Sequence, residues 1–202
     1  MKQILITAWL IAILAISFPL LSSGQAKAKL ILPESKVSVR GTSSMHDWEV
    51  AVEKYEVEFL LKHTDNGKIS ISNIRAAFSG ASVTSDNSIM TGKARDALKV
   101  REHPEIVFIS DGAENVVRNE GKINGTLNGK LSLGGVSKSI DIVFTGKIKG
   151  DSIHISGSEE VNMADYGIKP PTALLGTLKT GEKVTIELQL RFLIPGENTG
   201  SN

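Results

Sequence analysis

The 202-residue chain carries 23 basic and 22 acidic side chains, a formal charge of +1, and no cysteine. Near-neutrality removes any electrostatic drive toward nucleic acid or an anionic membrane surface, and the lack of cysteine removes disulfides, thiolate catalysis and cysteine metal sites together. The length suits a single domain with a substantial core.

The first element reads as a leader. Lys2 precedes an apolar run from Ile4 to Leu21, broken only by Thr7, Ser17 and Pro19, and two small-x-small sites follow, Gly24-Gln25-Ala26 and Ala26-Lys27-Ala28. A positive start, an apolar centre and a small-residue exit are the features of a secretory signal peptide. The alternative is a permanent anchor, against which the run is barely long enough to span a bilayer and is interrupted by Pro19. The expectation is a signal peptide over 1–28, no transmembrane anchor after cleavage, a folded domain over 29–194 and a disordered polar tail over 195–202. Such a protein is periplasmic or secreted.

Strand patterns follow. Over 48–61 the apolar parity slips from Trp48, Val50 and Val52 to Tyr55, Val57, Phe59 and Leu61, which predicts a bulge or sharp bend near Glu53-Lys54. A similar slip separates Ile69 and Ile71 from Ile74, Ala76 and Phe78. From Ser88 to Lys99, Met90, Ala94, Ala97 and Leu98 share one helical stripe, with Asp86, Asn87 or Ser88 as the cap and His103-Pro104 closing the region. Beyond it, Ile123, Leu127, Leu131 and Leu133 alternate with polar residues, as do Ile140, Ile142, Phe144 and Ile148, and then Val184, Ile186, Leu188, Leu190 and Phe192. Such alternation marks antiparallel strands with one wet face.

Turn formers punctuate the pattern at Asn66-Gly67, Asp111-Gly112, Asn119-Glu120-Gly121, Gly134-Gly135 and Gly150-Asp151, and Tyr166 to Gly181 reads as a loop. Many long strands and one helix leave a sandwich or a closed barrel, and strand length favours the barrel. Gly125, Gly129, Gly146 and Gly157 fall on inward parity. Either they leave volume for a ligand or they let the strands bend.

Reactive constellations are thin. Gly125 to Lys130 is one residue short of a phosphate loop and lies inside a strand pattern. The four histidines, His46, His63, His103 and His154, share no ligand spacing, so no metal site is expected. Ser43, Ser44, His46 and Asp47 bring hydrolase residue types together, but so close along the chain that they do not form a nucleophile–base–orienter array. What remains is an apolar inventory of Trp48, Phe59, Phe78, Met90, Ala94, Leu98, Phe108, Phe144, Tyr166 and Phe192. It is either a packed core or the lining of a tunnel for a long hydrocarbon, and periodicity does not choose between them.

Three segments resemble the YceI-like lipid/polyisoprenoid-binding family. Ile89 to Phe108 ends in Pro104-Glu105-Ile106-Val107-Phe108, similar to the family's P-x-I-x-F strand entry. Gly125 to Ile140 is similar to its G-x-L strand pair with a G-V-(T/S)-K turn, and Asp165-Tyr166-Gly167-Ile168, with Thr180 to Ile186 later, to its D-(F/Y)-G-I loop and closing strand. The chain departs from the pattern at Gly41 to Trp48 and at Met163-Ala164, where an arginine is more usual.

The resemblance implies an eight-stranded, lipocalin-like antiparallel barrel with one short helix. It also implies a non-enzymatic role in the bacterial periplasm, holding an isoprenoid quinone or prenyl phosphate. No cofactor is implied beyond a co-purified lipid. A stress-response or interaction module with a self-filled barrel is the other reading, and homodimerisation stays open.

Overall fold

Alternating apolar and polar side chains become one curled antiparallel sheet. The computed structural model describes residues 26–63, 69–173 and 178–194; most of the expected leader, the Asn66-Gly67 turn and the expected tail lie outside them. The strands are β1 (Ala26–Lys27), β2 (Lys29–Leu30), β3 (Lys36–Ser43), β4 (Trp48–Val52), β5 (Tyr55–His63), β6 (Ile69–Ser79) and β7 (Val83–Thr84). After helix α1 (Ser88–Ala97) come β8 (Glu105–Asn119), β9 (Lys122–Leu133), β10 (Val136–Lys149), β11 (Ser152–Asn162), β12 (Thr172–Ala173) and β13 (Leu178–Leu193). The main path runs β5-β6-β8-β9-β10-β11-β13-β3-β4-β7.

Thirteen strands are hydrogen-bonded among the described residues, against the eight expected, because long segments are interrupted. A 3₁₀ turn at Leu32–Glu34 divides β2 from β3, Glu53-Lys54 divides β4 from β5, and a 3₁₀ turn at Gly80–Ser82 divides β6 from β7. The second parity slip is Asn73, which takes the left-handed conformation (φ 52°) beside a register shift between Glu58 and Leu60; asparagine is among the few residues that tolerate this region. The hairpins at Glu120-Gly121 and Gly134-Gly135 place both central residues at positive φ, the twist that joins adjacent antiparallel strands without splaying them.

Two turn expectations are corrected. Asp111-Gly112 makes no turn and lies within β8, at a bulge where the register with β9 shifts between Ile109 and Ala113. There the Ser110 hydroxyl donates to Gly112 O (2.9 Å) and Asn128 O (2.8 Å), and a Cβ on Gly112 would stand 2.8 Å from Ile71 O. Glycine serves close strand approach here. Regular structure also occupies described parts of the expected loop 166–181. A 3₁₀ turn at Met163–Tyr166 ends on Gly167, β12 pairs with β13, and β13 begins at Leu178. The neighbouring backbone supplies ladder partners that the side-chain pattern of 178–183 did not advertise.

The ends of the run from β5 to β13 meet at the N-terminal segment. Ala26 and Lys27 pair with Leu61 and Leu60 of β5, Lys29 and Leu30 pair with Leu193 and Phe192 of β13, and Ala28 N–H donates to Phe59 O at 3.1 Å. Around this junction lies the tightest packing. Phe192 and Ile153 are 0% exposed, Leu61 1% and Ile123 2%, and the Phe59 and Phe192 rings meet edge to face with centroids 4.8 Å apart.

Inward glycines divide into two kinds. A Cβ on Gly129 would lie 2.4 Å from the Phe108 ring, and one on Gly146 2.7 Å from Ile123 Cγ1, so both are slots for a neighbour's side chain. Gly157 is different: its nearest contact would be Ile142 Cγ2 at 3.5 Å. Gly129→Ala is therefore expected to destabilise the protein by about 1–3 kcal/mol through overpacking, whereas Gly157→Ala stays within about 1 kcal/mol. Urea unfolding of the two variants checks this.

Candidate functional site

Above the packed junction the interior is hollow. The cavity has a volume of about 1020 Å³ and an apolar wall drawn from β3 to β13 and α1, at the upper end of the roughly 300–1,000 Å³ of small-molecule pockets. Its most informative feature is incomplete burial. Leu127, Ile140, Ile155, Ile186 and Leu188 all point inward, line the cavity and remain only half-buried. Inward aliphatic side chains in a filled core would approach the 0% of Ile153. These instead face unfilled volume.

Helix α1 lies across one end. Asn87 caps it, its side chain accepting from Ile89 N–H (2.9 Å) and Met90 N–H (3.1 Å), which satisfies donors at the first turn. No residue of α1 is fully buried. Polar ties hold it instead: Arg95 Nε donates to Val83 O (2.8 Å), Thr91 Oγ1 accepts from Ser85 N–H (2.9 Å), and Lys93 Nζ donates to Thr172 O (2.5 Å). Ser44 N–H donates to Lys179 O at 3.0 Å, joining the 44–47 loop to the start of β13. The exposed lining residues His46, Asn87, Ile89 and Thr172 belong to these linked elements, and they mark the mouth.

Nine of the ten residues in the apolar inventory stand on this wall. Phe59, Phe108, Phe144 and Phe192 are 0–4% exposed and act as packed staves. Trp48, Phe78, Met90, Ala94 and Leu98 are half-buried and meet the open volume. Trp48 is held by its indole N–H, which donates to Thr42 O at 2.9 Å, and its ring covers Gly41, where a Cβ would come within 2.2 Å. Tyr166 is not on the wall. It is 2% exposed within the 3₁₀ turn, and among the described residues its hydroxyl has no hydrogen-bond partner. Burial, then the charges of Asp165 and Glu159, push that hydroxyl's pKa up.

The Ser43–Asp47 cluster forms no triad. Ser43 Oγ donates to His46 O (2.7 Å), and His46 Nδ1 meets Asp47 O (2.7 Å), so these groups tie down the loop backbone. Sequence reading missed Glu159, which lines the cavity from β11. The signal was present, because inward parity through Ile153, Ile155 and Gly157 continues to position 159.

A family profile described as a YceI-like domain matches residues 32–192. No curated protein matches the chain. Among solved structures, a polyisoprenoid-binding domain from Saccharophagus degradans implicated in plant cell wall breakdown superposes with a TM-score of 0.65 at 14% identity, covering 85% of this chain and 100% of that one. BcnA of Burkholderia cenocepacia superposes with 0.61 at 18% identity, covering 81% and 99%. The YCEI protein of Campylobacter jejuni gives 0.54 at 14% identity, covering 73% and 85%. At such identities the likeness is one of fold.

Because Phe192 is enclosed and Leu188 faces the hollow, equal truncations should differ in cost. Phe192→Ala is expected to lose about 3–5 kcal/mol of stability and Leu188→Ala less than about 2 kcal/mol. Chemical denaturation of lipid-free protein measures both.

Proposed function

The chain belongs to the family of YceI-like domains, and on that premise we propose that it is a non-enzymatic carrier. It holds a long apolar isoprenoid lipid, a quinone or a prenyl phosphate, inside its barrel in the periplasm or outside the cell. One observation carries the reading: a cavity of about 1020 Å³ whose inward aliphatic side chains are half-exposed. Covering such a wall with hydrocarbon stabilises the complex by about 25 cal/mol per Å² of apolar surface removed from water, before the costs of association. The polyisoprenoid-binding domain of Saccharophagus degradans shares the fold and supports the same ligand class here. A self-filled barrel would require these side chains to pack against one another.

In this reading each interrupted pair, β2 with β3, β4 with β5 and β6 with β7, acts as one stave of the barrel. The mature start follows from the same assembly. Ala28 is 2% exposed, and its N–H is bonded to Phe59 O. Cutting after Ala28 would remove that contact and the buried alanine with it, so cleavage at the first small-x-small site, after Ala26, is favoured. Intact mass of the exported protein is expected to correspond to a start at Lys27. A chain that still begins at Met1 overturns the export reading.

The carrier reading is tested by native mass spectrometry of protein purified from its own source. A lipid-sized adduct is expected. Bare polypeptide mass, together with failure to take up added isoprenoid, overturns it. Ala94→Trp places an indole in the hollow from α1 and is expected to lower retained lipid by about tenfold, equivalent to 1.4 kcal/mol, while thermal unfolding of the lipid-free protein changes little.

A further inference from the structure

The cavity wall carries a single carboxylate among the described residues, Glu159. Inward positions along β11 run Ile153, Ile155, Gly157, Glu159 and Val161, so an acid occupies an aliphatic place. Across the ladder it faces Ile186, flanked by the pairs Gly157–Leu188 and Val161–Val184. The adjacent Glu160 points outward and meets Lys183 Nζ at 2.6 Å. Glu159 has no ion pair and no side-chain hydrogen bond among the described residues. Burial, then the charges of Asp141 and Glu160, hold its carboxyl above the ordinary range.

The basic groups of the lining do not relieve it. Lys93 donates to Thr172 O at the mouth, and His46 Nδ1 is engaged by Asp47 O. The buried Tyr166 hydroxyl, also without a partner among the described residues, feels the charge of Glu159. An acid facing an apolar hollow without a partner is costly to the fold. Such a group in a cleft marks a functional position.

We propose that Glu159 sets head-group specificity, accepting a hydrogen bond from the hydroxyl of a neutral isoprenoid alcohol or quinol and repelling the phosphorylated counterpart. The proposal rests on the carrier reading and narrows it. An ionised carboxylate is an acceptor only, so a ligand hydroxyl matches it, and the resulting charge-assisted bond is stronger than a neutral one. A phosphate would bring like charge beside this half-buried carboxylate on an apolar wall, which disfavours it as a repulsive element of specificity.

Geranylgeraniol and geranylgeranyl monophosphate, which share one 20-carbon chain, separate the outcomes in a native mass spectrometry competition on lipid-free protein. The wild type is expected to bind the alcohol at least about tenfold more tightly than the phosphate, a difference of 1.4 kcal/mol. Glu159→Gln keeps an acceptor but loses the charge assistance, so alcohol binding should weaken by no more than about tenfold, while phosphate binding rises and the preference narrows. Its thermal unfolding temperature should not fall, because an inward charge has been removed. Equal or tighter binding of the phosphate by the wild type overturns this inference and leaves the carrier reading standing. An unchanged preference in Glu159→Gln removes Glu159 from the role. Binding of neither ligand overturns the carrier reading, and this inference with it.

Discussion

The edge-to-face contact of Phe59 and Phe192, at a centroid distance of 4.8 Å, is the point from which the rest of the barrel is organised. These rings come from β5 and β13, far apart in sequence, and the short segment 26–30 pairs with both strands at that level. Ile153, Leu61 and Ile123 complete a floor with almost no exposed surface. A hollow interior contributes little cohesion of its own, so a packed floor has to fix strand register for the walls above it.

The two faces of the sheet follow opposite rules. Outside, Glu49 meets Lys36 (2.8 Å) and Arg40 (3.1 Å), and Arg40 reaches on to Glu187 (3.2 Å). Hydrogen bonds from Lys36 and then Arg40 lower the Glu49 carboxyl to about 2, so this network stays charged across any ordinary pH, though solvent screening keeps its stabilising effect small. Inside, aliphatic side chains face one another across open volume, and among the described residues Glu159 has no such company. Paired charge stabilises the outer surface modestly, whereas Glu159 stands on the apolar wall with no ion pair among the described residues.

Helix α1 belongs to neither regime. It covers the mouth with Met90, Ala94 and Leu98 half-buried, and the hydrogen bonds that Arg95 and Lys93 donate and Thr91 accepts take the place of a packed interface. Directional polar ties fix its position without filling the space beneath it, which leaves room for a ligand chain between helix and floor.

Local periodicity determined a great deal from the sequence alone. Alternation at 123–133, 140–148 and 184–192 specified antiparallel strands and their inward faces, because a period of two admits only one assignment once one face is apolar. The parity slips marked the bend at Glu53-Lys54 and the left-handed Asn73, and the stripe of Met90, Ala94 and Leu98 marked helix α1. Tertiary structure alone decided what lay between the faces. Phe192 and Leu188 share parity and apolar character, yet one is enclosed and the other looks into the hollow, because that depends on which strands converge at their height. Gly129 and Gly157 read alike in the chain, but a Cβ on one would collide with the Phe108 ring at 2.4 Å, whereas beside the other no side chain comes nearer than 3.5 Å. Pattern specifies direction, whereas distance across a barrel is set by partners remote in sequence.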